Sequence, residues 1–430
     1  MTRVAHIGPP LARQGGPAGY LYQLYHAVCE SGQPDALTMP PLAPPRAPRR
    51  PTLGEQMRAG LSRIKRTIAG SPTQYRPPAD ILEADHGHIE RVMTGALASF
   101  AVEAQESVTR ALGARVDVLF CHDTAMAERL LERRAAGQQV WLKIHNPMPL
   151  ALYLTWNWGV PERDWRDVMA FPDVRRWTEW EIDVWRALDR LILPCPEALE
   201  ELVRIEPAVA LVTTPISWLL SGASAAGAAS QANRAALRRA WRLPIDVPVG
   251  LYLGNHQAYR GLDALVAAAQ ELDAHAPAGF IAIAGPPPEI VPQHPRLCAL
   301  GHVADVGGLL TAVDFVINVN RFSLFDLSTI EAVEAAKPLL LHATGGNKTF
   351  QRLGAGAEML ADLDRTAVAA GLCRLFAMSD RERAALAAAS RRCYDAHLTR
   401  AHLWARHQAL YAGGHAGPPR PTNVAATATS

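Results

Sequence analysis

At 430 residues the chain exceeds one ordinary domain, and 49% hydrophobic against 20% charged residues is the balance of a soluble globular protein, so two domains are expected. A net charge of +2 removes the general case for nucleic-acid binding, since affinity for a polyanion shows as a strong basic excess. No run of ~18 apolar residues offers a membrane span, the N-terminal apolar run is too short for a signal peptide, and Cys29, Cys121, Cys195, Cys298, Cys373 and Cys393 form no CxxC pair. A reduced cytoplasmic setting without disulfides or structural zinc is expected.

The chain opens with a strand, Val4 to Ile7, then a Gly-rich loop carrying Gly15 and Gly16, then a helix with apolar residues at helical spacing. The loop lets backbone approach a ligand closely, although it lacks the GxGxxG spacing of a dinucleotide fingerprint, which argues against a nicotinamide-dependent oxidoreductase. Residues 39 to 51 are Pro-rich and are expected to be extended or mobile, outside any core. From Leu53 to Ile68, apolar positions 53, 57, 61, 64 and 68 make one helical stripe with Arg58, Arg63, Lys65 and Arg66 around it. Such a basic amphipathic helix either packs on its own domain or docks on anionic lipid.

Two apolar strands follow, VDVLF ending in Cys121-His122-Asp123 and VWLKI ending in His145-Asn146-Pro147. Six tryptophans then lie between 156 and 185; Trp177, Trp180 and Trp185 suit one buried helix face, while Trp156 and Trp158, in a less regular segment, are candidates for lining a groove whose aromatic faces stack on a sugar or contact lipid. After a further strand near Leu191 and a helix starting at Pro196, the small-residue run Ser221 to Asn233 reads as a linker. The boundaries expected are 1–220 for the first domain, 221–240 for the linker, 241–400 for the second domain, and 401–430 for a terminal helix that crosses back, with a disordered tail.

The second half begins with the strand VGLYL and a loop holding Gly254, Asn255, Arg260 and Gly261. FIAIA leads into a Gly285-Pro286 turn, and Leu300-Gly301-His302-Val303 precedes Asp305. Phe315 to Ile317 then emerges into polar Asn318, Asn320 and Arg321, as at the carboxyl edge of a parallel sheet, where ligands bind. A helix from about Ser328 holds Glu331 and stops at Lys337-Pro338; a strand Leu339 to Leu341 and the Gly345-Gly346 turn close the stretch. The exposed start of that helix aims backbone N–H groups at an anion, with phosphate the obvious candidate. Asp362-Leu363-Asp364 has an acid-x-acid spacing outside any strand edge and reads as solvated charge.

The segment from Ser323 to Asn347 resembles the signature of family-4-type retaining glycosyltransferases of the GT-B fold, in which two Glu residues bracket a Phe-Gly turn and a Lys-Pro strand and Gly-Gly turn follow. Here Glu331 matches the second Glu and Phe325 the Phe, whereas Ser323 stands at the first Glu and Asp326 at the Gly. The resemblance implies an α/β fold of two Rossmann-like domains facing each other across a cleft. It implies transfer of a sugar from a nucleotide diphosphate sugar to a glycan, lipid-linked or other acceptor, with retention, and with no metal or cofactor besides the donor substrate. Carried over by position, Glu331 holds the ribose, Arg260 matches the Lys of a diphosphate clamp whose Arg is replaced by Asn255, and His145 lies near the donor sugar. Gly15, Gly16, Gly254, Phe325, Leu327 and Ser328 then line the donor site, while Asp326 or Ser323 takes part of the missing carboxylate's role. The alternative is a catalytically degenerate GT-B protein that binds a nucleotide or glycan or scaffolds a partner, motivated by the replacements at 323 and 255. The expected location is the cytoplasm, with Leu53 to Ile68 able to hold the chain on the inner face of a membrane.

Overall fold

The computed structural model describes residues 2–13, 16–42, 90, 93–99, 105, 108–111, 115–158, 164–224, 234–272 and 276–414. Gly15, the Leu53 to Ile68 segment and residues 225–233 lie outside them. Strands β1 (Val4–Ile7), β2 (Leu37–Thr38), β3 (Val118–Cys121), β4 (Gln139–Lys143), β5 (Arg190–Leu193) and β6 (Ile216–Trp218) form one sheet in the order β2-β1-β3-β4-β5-β6. Strands β7 (Val249–Leu253), β8 (Phe280–Ala284), β9 (Leu297–Gly301), β10 (Phe315–Asn318), β11 (Leu339–His342) and β12 (Ala357–Leu360) form a second, in the order β12-β11-β10-β7-β8-β9. Every neighbouring pair is parallel.

Helices cover both faces of a parallel sheet, so its strands are read by composition rather than alternation. β1, β3 and β10 are buried at all four positions, which is why predominantly apolar runs mark them. Between strands, local chemistry sets the helix starts. The Asp123 carboxylate accepts from Met126 N at 2.7 Å to cap the Thr124–Arg133 helix, and Asp305 accepts from Gly308 N at 2.8 Å to cap Val306–Ala312. Asp364 caps Arg365–Ala377 through Ala367 N, which accounts for half of the acid-x-acid spacing. Among the described residues no helix is long and apolar enough to cross a membrane.

In the second sheet the strand order reverses between β7 and β10, so the loops leaving these adjacent strands diverge and open a crevice at the carboxyl edge. In the first sheet β1, β3 and β4 lie side by side in register, with Ile7 beside Cys121 and Cys121 beside Leu142. Their following loops therefore emerge together.

The chain crosses between the sheets twice, and the crossings touch. Ala223 N donates to Leu398 O at 3.1 Å, and a Cβ on Gly222 would lie 2.5 Å from Thr399 O, so only glycine fits there. The last described helix, Arg400–Tyr411, starts at the Thr399 cap and packs Leu403, Trp404, Leu410 and Tyr411 into a core with Tyr20 and Leu24 of the helix Gly16–Glu30 and with Phe120 and Trp141 of the first sheet.

The linker differs from expectation. Residues 221–223 are buried, and Arg234–Ala240 is a helix of the second half. The small side chains hid an ion pair: Arg238, 4% exposed, reaches Asp314 at 2.5 Å, Arg234 pairs with the same carboxylate, and Val249 N donates to it at 2.7 Å. Asp314→Ala leaves the Arg238 charge buried and unpaired, and should cost about 3–5 kcal/mol in denaturant unfolding. A loss below ~1 kcal/mol would refute this role for the pair.

Candidate functional site

Both carboxyl edges open on one cavity of about 490 Å³. Arg13, Gly16, Tyr20, Lys143 and His145 line it from the first half; Gly254, Asn255, Arg260, Phe325 to Ser328 and Glu331 line it from the second. Of the candidate residues drawn from sequence, Gly16, His145, Gly254, Asn255, Arg260, Phe325 to Ser328 and Glu331 line this cavity. Ser323 does not line it, and Gly15 is outside the described residues.

The second wall is built by close backbone packing. Gly346 N donates to Ser323 O at 2.9 Å, and a Cβ on Gly346 would lie 2.0 Å from Leu324 O, so the Gly345-Gly346 turn is the bed on which the Ser323 to Phe325 turn rests. Phe325 stacks on Phe350 with centroids 4.3 Å apart, pinning the turn from behind. The helix Leu327–Glu334 follows, and its first residues face the cavity without a side-chain cap from Asp326. Gly261, at φ +68°, holds the neighbouring turn: a Cβ there would lie 2.0 Å from Val319 O.

Arg260 sits on that turn, with its guanidinium over the Tyr259 ring at 4.9 Å. It is already paired. Its Nη1 donates to Asp326 Oδ1 at 2.9 Å, and Asp326 Oδ2 also accepts from Asn320 at 2.6 Å, Asn318 at 3.1 Å and the Ser323 hydroxyl at 3.2 Å. Ser323 is 1% exposed and holds Asn347 as well at 3.0 Å. It therefore stands behind the wall as a support for Asp326, a correction to its expected place beside the donor. Asn255 is tied within its own loop, where Oδ1 accepts from Gln257 N and Nδ2 donates to Gln257 Oε1.

Glu331 faces the cavity with a carboxyl pushed up to about 7, first by burial; Arg13 and Arg400 pull it down and Glu334 pushes it up. On the opposite wall Lys143 donates to Leu219 O at 3.1 Å, and burial draws its ammonium down to about 7. His145 is held by His122 at 2.8 Å, and burial keeps both imidazoles well below the usual histidine value, hence neutral.

Sequence reading passed over Lys143, Tyr20 and Arg13. The signal for Lys143 was a charged residue inside the apolar strand VWLKI. Trp156, expected at an acceptor groove, is instead core: it is 4% exposed and meets Phe322 edge-on at 5.7 Å, because Phe322 from the second half inserts between Trp156 and Trp165. The side chain of Trp158 lies outside the described residues.

Two parallel Rossmann-like domains facing across such a cavity define the GT-B fold. The solved structures similar to this chain include sucrose-phosphate synthase from Thermosynechococcus elongatus, at TM-score 0.61 and 16% identity, covering 96% of this chain and 99% of that one. They also include HepE from Anabaena in complex with UDP and glucose, at TM-score 0.56 and 12% identity over 96% and 100% of the two chains. The trehalose-6-phosphate phosphatase N-terminal domain of Candida albicans matches at TM-score 0.60 and 11% identity over 97% of each. No protein-family model and no curated protein matches the sequence.

The raised Glu331 carboxyl makes a stability prediction. The folded state keeps a proton that the unfolded chain releases near pH ~4.3, so the group costs nothing below that value and its full burial cost above about 7. Glu331→Gln should therefore raise the thermal midpoint at pH 8 by a few degrees and leave it nearly unchanged at pH 4.5. Equal shifts at both pH values would contradict the assignment.

Proposed function

We propose that this protein is a glycosyltransferase that takes a nucleotide diphosphate sugar as donor, with Glu331 on the ribose, Arg260 and the start of the Leu327–Glu334 helix on the diphosphate, and His145 beside the sugar. The observation that carries the reading is the convergence of Arg260, Glu331 and His145, from three separate segments of the chain, on one cavity between the sheets. HepE, of the same fold, has been seen with UDP-glucose, which makes a uridine donor the first to try. The resemblance of the Ser323 to Asn347 segment supports retention of configuration and a glycan or lipid-linked acceptor.

In such a transfer the bond between the anomeric carbon and the diphosphate oxygen breaks, and negative charge grows on the leaving group. Arg260 and the uncapped helix amides are placed to receive it, fixed in advance by the Gly261 and Gly346 contacts. A carboxylate at 331 accepts two ribose hydroxyls only when ionised, so donor affinity should rise with pH through about 7. Arg260→Ala should lower kcat by about a hundredfold, and Glu331→Ala should abolish donor binding in calorimetry. Full activity in either variant contradicts the assignment.

The Arg260–Asp326 pair means that a diphosphate competes with an internal carboxylate for the same cation. Asp326→Asn should tighten UDP binding by about tenfold, a gain of ~1.4 kcal/mol, by releasing Arg260. Unchanged or weaker binding by a folded variant would show that the pair does not oppose the donor. The same pair, with Asn255 in place of a second cation and Ser323 buried, favours a second reading: a GT-B protein that binds a nucleotide or glycan without turnover. Calorimetry against UDP and UDP-glucose, with transfer and donor hydrolysis followed by mass spectrometry, separates them. Binding without turnover selects the second reading, and absence of binding to any nucleotide tested rejects both.

A further inference from the structure

Behind His145 a chain of hydrogen bonds runs through the first domain and returns to the cavity. His145 Nε2 meets His122 Nδ1 at 2.8 Å, His122 Nε2 meets His6 Nδ1 at 2.9 Å, and His6 Nε2 meets the Tyr411 hydroxyl at 2.8 Å. Tyr411 then meets His407 Nδ1 at 2.6 Å, and His407 Nε2 meets the Tyr20 hydroxyl at 2.6 Å. The two ends, His145 and Tyr20, both line the cavity, with ring centroids 5.3 Å apart. The interior members are sealed: His6 is 1% exposed, His122 2%, His407 0% and Tyr411 6%. Phe120 stacks on His6 and His122 at 4.6 Å and 5.2 Å.

The arrangement follows from the topology. β1 carries His6, while His122 and His145 follow β3 and β4, so three adjacent parallel strands place one imidazole each near the same edge. His407 and Tyr411 lie four residues apart on one face of the returning helix. Burial lowers all four histidines, His6 to about 3, so they are neutral. Lys143, over the Tyr20 ring at 4.7 Å, and Arg406 are the nearby cations, and both disfavour a further positive charge.

A neutral imidazole has one N–H and one bare nitrogen. His6, His122 and His407 each use both nitrogens in the chain, so each must donate on one side and accept on the other; the Tyr411 hydroxyl, between two imidazole nitrogens, does the same. A break in direction leaves a buried donor or acceptor unpaired. Two states satisfy every bond. In one, Tyr20 donates to His407 and all four histidines carry their proton on Nδ1. In the other, all four carry it on Nε2, and the Tyr20 proton is free for the cavity.

We propose that Tyr20, His407, Tyr411, His6 and His122 form a single wire that sets the tautomer of His145, and with it whether His145 Nδ1 offers the cavity a donor or an acceptor. The five are positioning residues. Passing from the first state to the second moves one proton across each bond, while Tyr20 takes a proton from the cavity and His145 Nδ1 gives one back, so no net charge moves. The inference concerns the tautomer of His145 and holds whatever ligand the cavity takes.

The test is nitrogen NMR on the full chain labelled at histidine. In the wild-type protein His6, His122, His145 and His407 should all show the same tautomer; any opposed pair among the four overturns the wire. Tyr411→Phe removes the central hydroxyl and keeps the ring, so His145 should lose its single tautomer and become a mixture. Trp404→Phe, on the same helix and outside the wire, should leave the His145 signals unchanged. If the two variants shift His145 alike, or Tyr411→Phe leaves it unshifted, the coupling is refuted. Should Tyr411→Phe fail to fold, the wild-type tautomer pattern decides alone.

Discussion

The contact on which the rest depends is the return of the Arg400–Tyr411 helix to the first sheet. A chain that ended at Leu398 would leave two sheets joined by one crossing. The returning helix makes a second, and the two are bonded to each other at Ala223 and to both halves through their neighbours: Tyr394 donates to Ala223 O at 3.1 Å, Ser224 to Glu334 at 2.6 Å, and Arg400 to Gln23 at 2.7 Å. Gln23 and Glu334 lie on the helices that also carry the cavity residues Tyr20 and Glu331. The bonds between the two crossings therefore tie together one cavity-lining helix from each half.

A second constraint works from the far side. Phe322, on the loop after β10, inserts between Trp156 and Trp165, and Glu197 holds Thr349 at 2.7 Å and pairs with Arg352. The same loop that carries Asp326 is thus anchored by apolar packing against the first half at one end and by the Gly345-Gly346 bed at the other. Polar residues over this stretch are held rather than free. Asn318, Asn320 and Ser323 all spend hydrogen bonds on one carboxylate, which fixes the position of Asp326 next to Arg260 in a partly buried wall.

Much of this architecture is legible in the sequence because a parallel sheet buried on both faces writes itself as short, predominantly apolar runs: VAHI, VWLKI, VGLYL and FIAIA are all strands at nearly the positions those runs indicate. The polar residues that follow each run mark the carboxyl edge, and His145, Arg260 and Glu331 line the cavity at that edge. What composition could not show is pairing across distance. Arg260 and Asp326 are 66 residues apart and His6 and Tyr411 are 405 apart, and neither partner alone betrays the other. The Arg234–Ala240 helix was masked for the same reason: its neighbours are small and loop-like, while the pairing that fixes it lies at Asp314. Ser323 was misplaced because a motif position says where a residue stands in the chain, and only the Asp326 side chain says which way it is needed.

Set side by side, the two walls differ in how they hold charge. On the second wall the cation is matched internally, so Arg260 is held in place before any ligand arrives and little side-chain entropy remains to be lost on binding. On the first wall Lys143 has a carbonyl and a ring but, among the described residues, no carboxylate partner, and its ammonium is drawn toward neutrality by burial. An anionic ligand entering between them would restore the charge on Lys143 while drawing Arg260 away from Asp326. The first effect strengthens binding and the second opposes it, so the balance between these two side chains, one on each sheet edge, governs how strongly the cavity favours an anionic ligand over a neutral one.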